Sequence, residues 1–158
     1  MNTPQKTAEY QVVIVGMGPI GLSLANLLGQ AGVRTLMLER DLTPYGRPRA
    51  VAVDDESMRV YQAMGLDEEI APNLVMDLVA NFVLPDGRLL ANISPKDRSY
   101  WRSPMAFHYQ PTLEDVLRRG TTRFANVETR MGCMVCDVKQ DAGGVTVVIG
   151  YVKAIVDL

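Results

Sequence analysis

The first forty residues constrain this chain more than any other part. They hold a short β-branched run, a glycine-rich turn, an apolar-periodic stretch and a second β-branched run. Gln11–Val15 predicts a buried strand, because its apolar residues are continuous and β-branched. It runs straight into Gly16-Met17-Gly18-Pro19-Ile20-Gly21. A helix is expected from Pro19 to Ala31, where Ile20, Leu24, Leu27, Leu28 and Ala31 recur on one helical face, the kind that packs on a sheet. Gly32 is placed to stop it. Val33–Leu38 reads as a second strand and ends at Glu39. A strand, a turn, a helix and a strand in this order make a βαβ unit with parallel strands, so the fold class is α/β.

The glycine spacing has a chemical reading. Gly16 allows a tight turn out of the strand, Gly18 lets a pyrophosphate approach the backbone, and Gly21 lets the helix pack close on the strand. Pro19 suits the first helical position. The helix N-terminus offers N–H groups and a positive dipole end to phosphates. Glu39 stands 18 residues after Gly21, at the end of the second strand. A carboxylate there can accept hydrogen bonds from both hydroxyls of an adenosine ribose. It also repels a 2′-phosphate, although Arg40 beside it works the other way. The expected ligand is therefore the ADP half of FAD or NAD rather than of NADP.

The remaining elements are less constrained. Asp41–Arg49 carries two prolines and a glycine and reads as a loop. A helix is expected over Asp54–Met64, with Asp54 or Asp55 as its N-cap and Gly65 as its stop. Leu78–Leu84 and Arg88–Ile93 flank the turn Pro85-Asp86-Gly87 and predict a hairpin. Ser94–Pro104 reads as irregular. Pro111–Arg119 predicts a short helix with Gly120 just beyond it. Val127–Val138 and Val145–Ile149 read as strands around Gly143-Gly144.

Composition excludes several function classes. With 158 residues the chain has about one domain's length. Its 16 Lys+Arg against 18 Asp+Glu leave a net charge of −2, which argues against an electrostatic nucleic-acid binder. No apolar run approaches the roughly 20 residues of a membrane span, and Val12–Val15 is too short for a signal-peptide core. Two cysteines make no disulfide framework, so a cytoplasmic setting is expected.

The choice between FAD and NAD rests on a resemblance. Gly16–Leu22, Leu38-Glu39-Arg40, Arg47-Pro48-Arg49-Ala50 and Gln110-Pro111-Thr112-Leu113-Glu114 occur in the order seen in flavin-dependent aromatic hydroxylases. The chain resembles that family, FAD monooxygenases sharing the fold of para-hydroxybenzoate hydroxylase. The stretch Arg49-Ala50-Val51-Ala52-Val53-Asp54-Asp55-Glu56, followed by Gly65-Leu66, is most similar to the 3-(3-hydroxyphenyl)propionate hydroxylases. The resemblance implies non-covalent FAD, with NADH or NADPH as reductant and a phenolic substrate with oxygen as partners. It implies that Gly16, Gly18 and Gly21 hold the pyrophosphate and Glu39 the ribose, with Pro19 and Arg40 also among the cofactor-binding residues. It places the Arg49 guanidinium on the flavin cofactor and Gln110 against its phosphate–ribityl chain. An oligomer is compatible with this resemblance.

Family chains are several times longer, with an Asp-Gly motif after the strands that follow the glutamine helix and a later Gly-Asp motif beside the flavin. Here the only Asp-Gly is Asp86-Gly87, expected in a hairpin turn, and there is no Gly-Asp. The expectation is a Rossmann-type FAD-binding domain, C-terminally truncated. It has a lead-in over residues 1–10, a small antiparallel β insertion at about 74–109, and a substrate domain that is mostly absent. Such a chain is expected to be inactive alone. Two other functions are weighed beside this one: a domain that binds NAD as cosubstrate, and a non-catalytic remnant that acts through protein contacts.

Other signals have simpler readings. Cys133 and Cys136 have C-x-x-C spacing but fall in an expected strand, where an offset of three residues puts them on opposite faces. His108 is the only histidine and has no nucleophile motif around it. Asp54-Asp55-Glu56 suits a capped helix start. Asp97–Arg102 (DRSYWR) is too short to make a nucleic-acid groove.

Overall fold

The computed structural model describes residues 9–77, 79–96, 98 and 102–152. The first eight residues of the expected lead-in, Leu78 of the expected hairpin, Asp97 and Ser99–Trp101 of the DRSYWR stretch, and residues 153–158 lie outside them. In chain order the elements are β1 (Val12–Val15), α1 (Pro19–Gln30), β2 (Thr35–Leu38), β3 (Ala52–Asp54), α2 (Asp55–Ala63) and α3 (Asp67–Ile70). There follow β4 (Leu74–Met76), β5 (Ala80–Val83), β6 (Leu89–Ile93), β7 (Met105–His108), α4 (Gln110–Thr121), β8 (Val127–Arg130), β9 (Cys133–Asp141) and β10 (Gly144–Tyr151). They divide into two compact units, one of residues 1–45 and 121–158, the other of residues 46–120.

In the first unit, β1, β2 and β8 form a parallel sheet in the order β1-β2-β8. Val12 stands opposite Thr35, and Thr35 opposite Val127. The central strand β2 is buried at all four positions, as a strand covered on both faces must be. On one face Leu36 and Leu38 join Cys133, with Tyr10, Val13, Val135, Val147 and Ile149 packed around them. Those last residues bring in the antiparallel β9–β10 hairpin. Alternation turns Thr35 and Met37, both fully buried, to the other face, where α1 contacts β1, β2 and β8.

The face that α1 buries is not the expected one. Leu22, Ala25, Asn26 and Gly29 are its buried residues, whereas Ile20 is 83% and Leu24 43% exposed. Large apolar residues suggested one stripe, but close approach to the sheet selected another, built on small residues. A Cβ added to Gly29 would lie 2.5 Å from Phe124 Cδ2. Asn26 sits in this face because its amide donates to Leu22 O at 2.9 Å and its oxygen accepts from Arg123 at 3.2 Å.

The expected strand over Val127–Val138 is two strands. Gly132 has φ +67°, a left-handed conformation that favours glycine and ends the β8 ladder. β9 then turns away to pair with β10.

The second unit holds a three-stranded antiparallel sheet in the order β3-β7-β4 and a separate β5–β6 hairpin. The hairpin is the expected one: Gly87 donates to Leu84 O at 2.8 Å, and Arg88 N–H to Asp86 Oδ1 at 3.0 Å. Strands β3, β4 and β7 were not foreseen. Each has only three or four residues, too few to show a period. Asp54 caps α2 by accepting the Ser57 N–H at 2.8 Å. Helix α4 begins at Gln110, one residue earlier than expected, and continues through Gly120 to Thr121.

Candidate functional site

In the first unit the glycine turn joins β1 to α1. The Gly16 N–H donates to Leu38 O at 2.7 Å, which ties the turn to the end of β2. Gly21 is where the helix comes closest to the strand: an added Cβ would lie 2.2 Å from Gly16 O and 3.3 Å from Ile14 Cγ2. Only glycine fits that contact. At Gly18 an added Cβ would meet nothing within 4 Å, so no neighbouring protein atom requires the missing side chain. A side chain there would instead occupy the space in front of the helix N-terminus.

That terminus suits an anion. Gly18 is the N-cap and supplies no side-chain hydrogen bond, Pro19 is at the first position, and the first turn carries no acidic residue. Its N–H groups and dipole end are left for a ligand.

Glu39 stands at the end of β2 and faces the same turn. Its Oε2 accepts the Met17 N–H at 2.9 Å and its Oε1 the Asp41 N–H at 3.0 Å. Partial burial opposes the charge on Glu39, but the N–H groups of Met17, Asp41 and Arg40, with the Arg40 charge, outweigh it. They hold its pKa below the usual glutamate value. Each carboxylate oxygen has a second lone pair, so the ribose hydroxyls can still be accepted. Arg40 is exposed, with Nε 3.7 Å from Asp41 Oδ1. Gly16, Gly18, Pro19, Gly21 and Glu39 are thus brought together, and the donor set fits a pyrophosphate beside a ribose.

In the second unit Arg49 and Gln110 are brought together. Gln110 Oε1 accepts the Arg49 N–H at 2.8 Å and the Ala50 N–H at 2.7 Å. Its Nε2 donates to Glu114 Oε1 at 2.6 Å. Gln110 is 4% and Glu114 6% exposed. Glu114 was not singled out from the sequence, although its i, i+4 spacing from Gln110 was a usable signal.

The other candidates stay outside both clusters. Cys133 is buried and Cys136 exposed, as opposite strand faces require. His108 lies on β7 with Nδ1 buried and without a partner among the described residues, and burial pushes its pKa down. Among the described residues no group of three or more His, Cys, Asp or Glu could hold a metal, and no helix is long and apolar enough to cross a membrane.

Comparison with known proteins points the same way as this geometry. The family described as FAD binding domain matches residues 9–154. A 3-(3-hydroxy-phenyl)propionate/3-hydroxycinnamic acid hydroxylase from Mycobacterium sp. (strain JLS) is 40% identical over 146 residues, 92% of this chain and 26% of that protein. The same-named protein of Comamonas testosteroni is 38% identical, again over 92% of this chain and 26% of its own length. The chain thus spans about a quarter of these relatives. Among solved structures, p-nitrophenol 4-monooxygenase PnpA from Pseudomonas putida DLL-E4 superposes with a TM-score of 0.74 at 28% identity, covering 92% of this chain and 40% of that one. The anhydrotetracycline hydroxylase OxyS from Streptomyces rimosus gives a TM-score of 0.72 at 33% identity, covering 90% and 28%.

Proposed function

This chain belongs to the FAD binding domain family, and from that premise we propose that it is the FAD-binding portion of an NAD(P)H-dependent monooxygenase acting on phenolic rings such as 3-(3-hydroxyphenyl)propionate. The observation that carries the reading is the Glu39 carboxylate bound to the Met17 N–H, beside a helix N-terminus that has no side-chain cap. The relatives' names support the substrate class.

When bound, the flavin supplies the redox and oxygen chemistry of such a reaction. The residues of this chain bind and orient. The first turn of α1 donates N–H groups to the pyrophosphate, and the absence of a Cβ at Gly18 lets it come close. Glu39 accepts the ribose hydroxyls. Arg49 contacts the flavin cofactor, its backbone held by Gln110. On this reading FAD is non-covalent, the reductant is NADH or NADPH, the setting is cytoplasmic, and the 158 residues alone do not hydroxylate a phenol.

The test is a titration of the purified chain with FAD, followed by quenching of flavin fluorescence. Binding that is lost in Glu39→Ala supports the proposal. Folded protein without flavin affinity overturns it. One observation favours a second role, contact with further polypeptide: Ile20, Leu24 and Leu27 are exposed along one side of α1, and an apolar patch of this kind marks an interaction surface. Sedimentation of the purified chain tests this, with a single monomeric species counting against self-association.

A further inference from the structure

Glu114 is buried one helical turn beyond Gln110. We propose that Glu114 is a positioning residue for the Arg49–Ala50 backbone, acting through the side-chain amide of Gln110. The inference rests on the reading that Arg49 contacts the cofactor.

The argument starts from the asymmetry of a glutamine amide, one end of which only accepts and the other only donates. Gln110 Oε1 faces two N–H donors, at 2.8 and 2.7 Å, and Nε2 faces a carboxylate oxygen at 2.6 Å. Turned over, the amide would set its NH2 against two N–H groups and its oxygen against a carboxylate oxygen. All three favourable contacts would become repulsive. The acceptor at 114 therefore selects the orientation in which Gln110 can hold Arg49 and Ala50.

The contact holds a segment outside the helices and strands. Arg49 lies 61 residues before Gln110 in the chain, in a stretch between β2 and β3 without a helix or strand. Two consecutive N–H groups bound by one oxygen fix its backbone beside the N-terminus of α4. At i and i+4 the two side chains stand on the same helix face, and both are buried, where a lost partner also costs desolvation.

The test combines hydrogen exchange at the Arg49 and Ala50 amides with FAD and ADP affinities of the whole chain. In Glu114→Leu the acceptor is gone. Both amides are expected to exchange about tenfold faster and FAD to bind about tenfold more weakly, the effect of one lost buried hydrogen bond. ADP, held by the glycine turn and Glu39, should bind as in the wild type. Glu114→Gln keeps a carbonyl acceptor and should stay near wild type in all three readouts.

If Glu114→Leu does not fold, a swapped pair decides. Gln110→Glu sets a second carboxylate against Glu114 and should weaken FAD binding. Adding Glu114→Gln restores a donor–acceptor contact and should restore affinity. The proposal is overturned if folded Glu114→Leu keeps wild-type exchange and FAD affinity, or if it loses ADP and FAD equally. It is also overturned if Glu114→Gln behaves like Glu114→Leu, or if the double variant binds no better than Gln110→Glu. A wild-type chain without flavin affinity counts against the cofactor reading, and the exchange rates then still decide the role of Glu114.

Discussion

The Glu39 carboxylate reaches from the end of β2 to the glycine turn, where Oε2 accepts the Met17 N–H at 2.9 Å. A residue expected to read a ribose thus also holds the glycine turn in shape. Binding and preorganisation share one side chain, so their losses should appear together.

Removing Glu39 is expected to cost both stability and flavin affinity. Glu39→Ala leaves the Met17 and Asp41 N–H groups without their acceptor, a loss of about 1–3 kcal/mol. Glu39→Gln should fail as well, because each oxygen of Glu39 faces an N–H and an amide can accept on only one side. Chemical unfolding and FAD titration of the two variants check this. Equal affinity in Glu39→Gln and wild type would refute the dual role.

The same carboxylate sets a pH dependence. Its folded pKa lies below the usual glutamate value, so the folded state favours the charged form. The resulting stability is fully present above the unfolded pKa and lost as pH falls through the folded one. Asp54 behaves alike, its pKa lowered mainly by the Ser57 side-chain hydrogen bond. Acid titration should show stability falling below the usual carboxylate range, with the fall reduced in Asp54→Ala. That variant should also lose about 1 kcal/mol at neutral pH through the missing helix cap.

Two glycines of the turn should separate folding from binding. Gly21→Ala forces a Cβ to within 2.2 Å of Gly16 O and is expected to cost about 3 kcal/mol. Gly18→Ala meets no protein atom within 4 Å and should cost about 1 kcal/mol or less, yet abolish FAD binding by filling the path to the helix N-terminus. Thermal melts beside FAD titrations give both readouts. A Gly18→Ala variant with wild-type affinity would remove the phosphate from this turn.

Leucines on opposite sides of α1 should differ in the same way. Leu22 is wholly buried and Leu24 43% exposed. Leu22→Ala is expected to cost about 3 kcal/mol and Leu24→Ala about 0.5 kcal/mol. Denaturant midpoints check the order, and a reversed ranking would return the core to the face read from the sequence.

Much of the first unit was legible in the sequence. Strand, glycine turn, helix and acid are adjacent in the chain, and their spacing carries the geometry. The β5–β6 hairpin was legible for the same reason, since Pro85, Asp86 and Gly87 encode their own turn. Strands β3, β4 and β7 were not legible. They are short and take their shape from pairing with one another across tens of residues.

What the sequence by itself determined is therefore the parallel β1–α1–β2 unit and the placing of Glu39 against its glycine turn, because those depend on local backbone geometry. Only the tertiary structure decided which side of α1 enters the core. That choice depends on how closely the helix approaches the sheet, and Gly21, Ala25 and Gly29 permit an approach that Ile20 and Leu24 do not. The tertiary structure also decided what Gln110 does. A buried amide takes its orientation from its partners, and Arg49, Ala50 and Glu114 meet around it only once the chain has folded.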